Sequence, residues 1–344
     1  MNQKRAGSYK RQVAVWTAVI LSVLAAGSYF LIRNGANDKP VTPTEKVTIA
    51  YAAIPHSALA AVAQKQGYYR QEGLEAIAHL HPYGKPALRE VLEGKADFAT
   101  VAETPFILEV MKGEKVSIIA TIYTARGDHA IIARKDLGIL LPSDLKGRKI
   151  GATLGTTSDF FLDAFLAVNG ISTRDVTVTD VKQEELPDAI ATGAVEAVSV
   201  FYPYLGIAKK RLGARGIAFY DTAIYFQTFN IAAKQEFVQR HPKTVKKMLR
   251  ALVKAEEFLK GNPAEAQRIV SDFYGIDIET LRDPWSAADF AVTLDQSLVL
   301  SMEDESRWAI KKKLTGEKKI PNYLHYIYFE GLESVKPEAI RILR

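Results

Sequence analysis

The distribution of apolar residues predicts three regions along this chain of 344 residues. Residues 13–32 form an unbroken apolar segment that carries no charge. From about residue 47 to residue 235, short β-branched segments alternate with helical segments of roughly ten residues, which is typical of an α/β sheet with crossover helices. Beyond residue 235 only helical periodicity continues. We therefore predict an N-terminal membrane helix, a central α/β portion and a helical C-terminal section.

The apolar segment Val13–Ile32 has the length of a membrane-spanning helix, which needs about 20 such residues. Four basic residues precede it, so the N-terminus is expected in the cytoplasm and the rest of the chain outside. The segment fits an uncleaved signal anchor or a signal peptide cleaved after Ala25-Ala26-Gly27, and the apolar continuation Tyr29–Ile32 favours the anchor. We assign residues 1–33 to a cytoplasmic stub and this export segment. The polar, proline-containing residues 34–46 are a linker.

The central portion contains two similar series of alternating strands and helices. The first series predicts, in turn, Val47–Tyr51, Ser57–Gln66, Glu75–Leu80, Ala87–Glu93 and Phe98–Ala102. The second predicts Lys149–Thr153, Ser158–Asn169, Val176–Val181, Leu186–Thr192 and Ala197–Val200. In both series a helix ends near a glycine (Gly94 or Gly193), an acidic residue three positions later opens a strand, and a proline-containing loop follows. This predicts two similar α/β lobes. Their similarity arises either from duplication or from the small set of parts from which all βα units are built.

The C-terminal section predicts helices only, and it is expected to pack on one lobe. Several of these helices have a proline near their first turn, where its missing N–H costs nothing. The predicted helices are Pro242–Leu259, Pro263–Tyr274, Ser286–Met302 and Asp304–Thr315.

The net charge of +6 belongs almost entirely to the N-terminal region. Residues 1–46 hold seven basic and two acidic side chains, a net charge of +5, which leaves 38 basic and 37 acidic side chains in residues 47–344. The excess positive charge therefore reflects the predicted orientation of the chain in the membrane. Because the rest of the chain is nearly neutral, we expect no nucleic-acid partner.

The chain has no cysteine, which excludes disulfides, thiol nucleophiles, cysteine-ligated metals and a lipid-modified N-terminal cysteine. The sequence contains no G-x-S-x-G, G-x4-G-K-[ST], G-x-G-x-x-G or H-E-x-x-H motif. His79 and His81 share one face of a strand, which suits a metal in principle, but no neighbouring residues complete a site. We expect no cofactor and no metal.

The candidate ligand-binding residues lie where predicted strands end, which is where ligands bind in open α/β sheets. Gly155, Thr156, Thr157 and Ser158 open a helix whose free N–H groups and hydroxyls suit an oxyanion, although they could equally be capping the helix. The carboxylate of Glu103 suits an amine or another hydrogen-bond donor, or it caps the next helix. The aromatic residues could stack on a ligand or fill the core. The remaining candidates are Tyr51, His56, Thr104, Tyr123, Asp128, Phe201, Tyr202 and Tyr225.

Five segments of the sequence together carry a resemblance to a known family: Gly67–Leu74, Leu92–Ala99, Asp144–Gly151, Gly155–Thr157 and Tyr202–Tyr204. In this order they resemble the nitrate/taurine/aliphatic-sulfonate family of ABC-importer solute-binding proteins and the related thiamine-pyrimidine-binding-like proteins. One difference is Phe201-Tyr202-Pro203, where that family often has Trp-(Glu/Gln)-Pro.

The resemblance implies a periplasmic-binding-protein-like α/β fold, with two lobes joined by two crossing strands. Residues 47–125 and 226–344 would form lobe 1, and residues 126–225 lobe 2. The implied function is binding of a small organic or oxyanion ligand (sulfonate, nitrate, taurine or pyrimidine type) on the extracytoplasmic side of the membrane. An ABC permease and its ATPase are the implied partners, and a monomer tethered by residues 13–32 is expected. The alternatives are an enzyme on the same fold, acting on pyrimidine precursors or small acids, and a membrane-tethered ligand sensor.

Overall fold

A computed structural model of the chain describes residues 44–343. The predicted export segment and most of the predicted linker lie outside these residues. Within residues 44–343, no helix combines the length and the apolar composition that crossing a bilayer requires.

The strands of the described region form two mixed sheets and one short parallel pair. The first sheet has the order β2-β1-β3-β10-β4-β11, the second has the order β7-β6-β8-β5-β9, and β12 pairs with β13. The strands are β1 (Glu45–Ala52), β2 (Leu74–His81), β3 (Phe98–Ala102), β4 (Val116–Arg126), β5 (His129–Arg134), β6 (Lys149–Ala152), β7 (Thr177–Asp180), β8 (Ala197–Phe201), β9 (Gly216–Phe219), β10 (Phe226–Lys234), β11 (Ala288–Asp289), β12 (Leu294–Asp295) and β13 (Ile340–Arg341).

Helices connect and cover these strands. The α-helices are α1 (Ala58–Lys65), α2 (Tyr68–Gln71), α3 (Gly84–Leu92), α4 (Glu103–Val110), α5 (Thr157–Val168), α6 (Leu186–Thr192), α7 (Tyr204–Leu212), α8 (Gln235–Arg240), α9 (Pro242–Gly261), α10 (Pro263–Tyr274), α11 (Arg282–Ala287), α12 (Gln296–Lys312) and α13 (Phe329–Glu333). Single 3-10 turns occupy Pro55–Ser57, Lys135–Leu137, Pro142–Leu145, Thr173–Asp175, Gly213–Arg215, Ile278–Leu281, Tyr323–Tyr326 and Pro337–Ala339.

The two sheets have the same internal arrangement, as the two similar series in the sequence predict. In each sheet three parallel strands (β2-β1-β3 and β7-β6-β8) are followed by two strands with antiparallel pairings, β10 and β4 in the first sheet and β5 and β9 in the second. The first sheet has one further antiparallel strand, β11, at its edge. The chain passes from the first sheet to the second between β4 and β5, and it returns between β9 and β10. These two crossings bring strands from both halves of the sequence into the first sheet.

The central strands are buried on both faces because helices cover both sides of each sheet. Every residue of β3 and β8 is buried, as are the last four residues of β1. The amphipathic helix α9 packs its apolar stripe, which includes Leu249 and Leu252, into the core of the first sheet. Such burial makes the first sheet rigid, so the loops at its strand ends are held in fixed positions.

The C-terminal section differs from the predicted helices Ser286–Met302 and Asp304–Thr315, and that prediction is wrong. The structure has a short helix α11, an extended stretch containing β11 and β12, and then one continuous helix α12. Strand β11 adds to the edge of β4, and the side chain of Asp295 accepts a hydrogen bond from the Ser297 N–H at the start of α12. The N-cap therefore lies about ten residues later than the predicted start.

Candidate functional site

A buried cluster of polar and aromatic side chains lies where the first and second sheets meet. His56 follows β1, and its ring centroid is 6.0 Å from that of Phe201 at the end of β8. The ring of Phe201 also lies 5.5 Å from that of His129, the first residue of β5. All three side chains are almost completely buried. We use the name interface cluster for these three residues together with Glu103, Thr104, Tyr123, Asp128, Thr157, Tyr225 and Glu305, which are described below.

On the side of the first sheet, His56 is paired with Asp128 from the crossing between β4 and β5. His56 Nε2 lies 2.7 Å from Asp128 Oδ2, and the Tyr123 hydroxyl donates to Asp128 Oδ1 at 3.0 Å. Burial alone would raise the pKa of Asp128, but the adjacent His56 and the Tyr123 hydrogen bond outweigh it and hold this pKa below its usual value. Asp128 is therefore an ionised, fully partnered carboxylate inside the protein.

On the side of the second sheet, His129 contacts the start of helix α5. Its Nε2 lies 2.8 Å from the Thr157 hydroxyl, and its ring packs 5.0 Å from Tyr225 and 5.4 Å from Phe161. Burial lowers the pKa of His129 to about 4, although Asp128 partly opposes this shift. His129 is therefore neutral at pH 7, and its Nδ1 has no hydrogen-bond partner within residues 44–343.

The low pKa of His129 predicts a pH dependence of stability. Between its ordinary value of 6.5 and about 4, the unfolded chain binds a proton at His129 that the folded protein does not bind. This residue therefore makes the free energy of unfolding fall as the pH drops through that window, by up to about 1.4 kcal/mol per pH unit. Urea unfolding at several pH values should show a shallower slope for His129→Gln than for the wild type. An unchanged slope would contradict the assignment.

Two buried carboxylates lie next to the return crossing between β9 and β10. Glu103, the first residue of α4, accepts hydrogen bonds from the Tyr225 hydroxyl and from the Thr228 hydroxyl at 3.0 Å and N–H at 3.2 Å. Glu305 reaches the same place from α12. Burial raises the pKa of Glu103, and burial together with the neighbouring Glu103 raises the pKa of Glu305 well above its usual range.

The loop before α5 satisfies most of its own polar groups. The Thr156 hydroxyl donates to the Thr153 carbonyl at 2.6 Å, and Ser158 Oγ accepts from the Thr153 N–H at 3.2 Å. Gly155 has a φ of +68°, a conformation that favours glycine, and its N–H donates to Asp159. Thr157 alone turns its hydroxyl to the interface cluster. At the start of α5, the N–H groups of Asp159 and Phe160 donate to the Thr156 carbonyl, so those of Thr157 and Ser158 remain as donors at this point.

Not every predicted site residue lies in the interface cluster. Tyr51 points into the core of the first sheet, where its hydroxyl donates to Gln64 and its ring packs 5.5 Å from Phe273. The Tyr202 hydroxyl donates to Asp283 Oδ2 at 3.1 Å, and its ring belongs to the apolar core beside β8. The predicted residues that the structure brings together are His56, Glu103, Tyr123, Asp128, Thr157, Phe201 and Tyr225, with Thr104 beside Glu103 and with Gly155, Thr156 and Ser158 in the adjoining loop.

Two members of the cluster, His129 and Glu305, were not predicted as site residues from the sequence. His129 follows Asp128 directly at the first crossing, and this Asp-His pair was the available signal. Nothing in the sequence indicated that Glu305 would meet Glu103, because about 200 residues separate them.

The two histidines that share a strand face, His79 and His81, both lie beside Glu90, at 2.8 and 3.4 Å. In the part of the chain that the structure describes, no group of three or more His, Cys, Asp or Glu side chains has an arrangement that could hold a metal ion.

The cluster contains hydrogen-bonding atoms that the protein itself leaves unpaired. Buried polar atoms in folded proteins are nearly always hydrogen-bonded, because leaving one unpaired costs about 1–3 kcal/mol. In the described residues, the unpaired atoms of the cluster are His56 Nδ1, Thr104 Oγ1, His129 Nδ1 and both carboxylate oxygens of Glu305. The arrangement can therefore bind a small polar molecule held between aromatic rings.

Comparisons with known proteins agree with this architecture. A putative binding protein of Brucella abortus is 28% identical over 224 residues, which cover 64% of this chain and 69% of that protein. A putative aliphatic sulfonates-binding protein of Bacillus subtilis is 26% identical over 262 residues, or 75% of this chain and 79% of that protein.

The alkanesulfonate-binding protein SsuA from Xanthomonas axonopodis pv. citri, solved with bound MOPS, has a similar structure. It superposes with a TM-score of 0.73 at 15% identity, covering 83% of this chain and 98% of that one. This likeness confirms the predicted periplasmic-binding-protein-like α/β fold with mixed sheets. The family model described as "NMT1/THI5 like" matches residues 54–266, which is more than half of the chain. The chain therefore belongs to the NMT1/THI5-like family.

Proposed function

We propose that this protein is an extracytoplasmic solute-binding protein of an ABC importer. It encloses a small organic or oxyanion solute between two lobes and delivers it to a permease and its ATPase. Membership of the NMT1/THI5-like family supports this proposal, as do the relatives named for binding and the fold of the alkanesulfonate-binding protein. The same relatives favour a binding protein over an enzyme.

One observation carries the proposal: the interface cluster draws its side chains from both sheets and from both crossings. His56 and Glu103 follow strands of the first sheet, whereas Thr157 and Phe201 follow strands of the second. A solute held there contacts both sheets at once, so its binding energy favours the closed arrangement over an open one. The unpaired nitrogens of His56 and His129 are available to hydrogen-bond that solute.

In this mechanism residues 47–125 and 226–344 form lobe 1, residues 126–225 form lobe 2, and the two crossings act as the hinge. Contacts between residues of the two lobes support such closure. The Lys85 ammonium donates to the Leu154 carbonyl at 2.7 Å, and the Tyr204 hydroxyl donates to the Pro82 carbonyl at 2.9 Å.

The solute classes that we propose are sulfonate, nitrate, taurine and pyrimidine compounds. The free N–H groups at the start of α5 suit an oxyanion, and the neutral imidazole of His129 can donate or accept at a heterocycle. We further propose that residues 13–32 tether the protein to the outer face of the cytoplasmic membrane, where it acts as a monomer.

The experiment is a binding screen with the purified full chain. Sulfonates, nitrate, pyrimidines and amines are added in turn, and the melting temperature and the dissociation constant are measured. We expect one class to stabilise the protein, since a solute at about 100 times its dissociation constant adds about 2.7 kcal/mol. If no class stabilises it, the proposal fails.

Thr157→Ala tests whether that solute binds in the interface cluster. The change removes the hydroxyl beside His129 Nε2. We expect solute affinity to fall about tenfold, which corresponds to one lost hydrogen bond. We expect the free energy of unfolding to fall by about 1–3 kcal/mol, because the buried His129 Nε2 loses its partner, without unfolding the protein. Thr192→Ala is the matched control, because the Thr192 hydroxyl bonds only to carbonyls of its own helix. Equal affinities of the two variants would remove Thr157 from the site.

A further inference from the structure

A cavity of about 280 Å³ lies beside the return crossing, next to the interface cluster. Its walls come from the crossing itself, from helix α12 and from Phe160 of helix α5. Tyr225 lines this cavity and also contacts His129, so the cavity and the interface cluster share one wall. Its volume lies near the lower end of the range of small-molecule sites, about 300–1,000 Å³.

The buried carboxyl group of Glu305 forms part of the cavity wall. Neither of its oxygens makes a hydrogen bond of ordinary geometry within residues 44–343, although the Thr104 hydroxyl and the Glu103 carboxyl are close enough to affect its pKa. The hydrogen bonds of Tyr225 and Thr228 go to Glu103. Glu305 therefore keeps acceptor capacity for a bound group, and a second carboxyl group lies beside it.

Three aromatic rings form part of the cavity wall, together with apolar and hydroxyl side chains and the charged residues Arg126 and Asp304. Phe160 and Tyr225 pack edge to face at 5.5 Å, and Phe226 forms a third ring of the lining. A guanidinium already lies over one of these rings, because Arg126 stands 4.9 Å from the centroid of Phe226 at the exposed rim. Aromatic faces combined with a carboxylate are the surroundings that organic cations prefer.

We propose that this cavity is a subsite for an organic ammonium group, with Glu305 as its anionic partner. This subsite rests on the proposed function, because the ammonium group would be part of the solute that the protein binds. It goes beyond that function because it assigns a positive charge to one end of the solute. An oxyanion is disfavoured beside Glu305 because any ionised form of Glu305 or Glu103 would repel it at low dielectric.

Binding at this subsite should also release a proton. Burial and the neighbouring Glu103 raise the pKa of Glu305, which favours its protonated form in the empty cavity. An ammonium group favours the ionised form, so the proton leaves as the cation enters. A purely structural Glu305 would give no such signal.

The test is calorimetric titration of the full chain with n-propylammonium, in two buffers of different ionisation enthalpy. We expect binding with proton release, and at least about tenfold weaker binding by Glu305→Gln, since a charge-assisted hydrogen bond is lost. Glu303→Gln is the matched control on the same helix, outside the cavity, and should bind like the wild type. If Glu305→Gln does not fold, the variant Ser301→Leu is used in its place. Its larger side chain fills the cavity, so it should also bind propylammonium at least about tenfold more weakly than the wild type.

Equal propylammonium affinity of the wild type and Glu305→Gln, or no binding by the wild type, overturns the subsite. Propane-1-sulfonate and the rest of the solute panel are titrated in parallel. If another solute binds while propylammonium does not, only the subsite fails and the proposed function stands. If no solute binds at all, both fail.

Discussion

Replacing Asp128 by alanine should lower the free energy of unfolding by about 2–5 kcal/mol, because it leaves two buried hydrogen-bonding groups without their partner at about 1–3 kcal/mol each. Its carboxylate lies 2.7 Å from His56 Nε2, and both residues are almost fully inaccessible to solvent. The Tyr123 hydroxyl loses its acceptor at the same time. Urea unfolding of the purified protein, followed by circular dichroism, measures the effect.

Asp136→Ala is the control for this result. Asp136 is likewise bonded to a basic side chain, at 2.7 Å from Arg134, but that pair lies at the surface, where water screens it. Asp128→Asn should fall between the two variants, because its amide oxygen can still accept a hydrogen bond from Tyr123. If Asp128→Ala were no less stable than Asp136→Ala, the pair with His56 would contribute nothing to the fold.

Secondary structure was predictable where local chemistry marks both ends of an element. Phe98–Ala102, Leu186–Thr192 and Pro263–Tyr274 have the predicted bounds. Proline lies in the first turn of both of these helices, and both end before a glycine with positive φ, at positions 193 and 275. The boundary at α12 was missed because its N-cap, Asp295, lies in a stretch whose apolar residues also fit a helix.

The direction of a side chain was less predictable than the element that carries it. A strand exposed on one face alternates between apolar and polar residues, and this alternation indicates which residues point to the core. Strand β1 is buried on both faces, so Tyr51 could point toward the cleft or into the core, and it points into the core. The meeting of Glu103 with Glu305 depends on the packing of α12, which no local pattern encodes.

Lys312→Met should weaken the contact between α12 and α5 by about 3–5 kcal/mol. Lys312 Nζ lies 2.6 Å from Asp159 Oδ1 and 2.9 Å from Asp163 Oδ2, and Asp159 is fully buried. Burial raises the pKa of Asp159 while Lys312 opposes the shift, so the substitution leaves this carboxylate without a cation. Helix α12 packs on α4 of the first sheet, whereas α5 packs on β8 of the second. The loss therefore falls on one of the contacts that hold the two sheets together.

A change of this size shifts an equilibrium between closed and open arrangements by more than about a hundredfold. We expect the radius of gyration of Lys312→Met, measured by small-angle X-ray scattering without solute, to exceed that of the wild type. A saturating solute should restore the compact value, because binding energy favours closure. Lys311→Met, one position earlier on α12, removes the same charge without touching Asp159 and should scatter like the wild type. If both variants matched the wild type, this ion pair would not hold the lobes closed, and closure would depend on the interface cluster and the other contacts between the lobes.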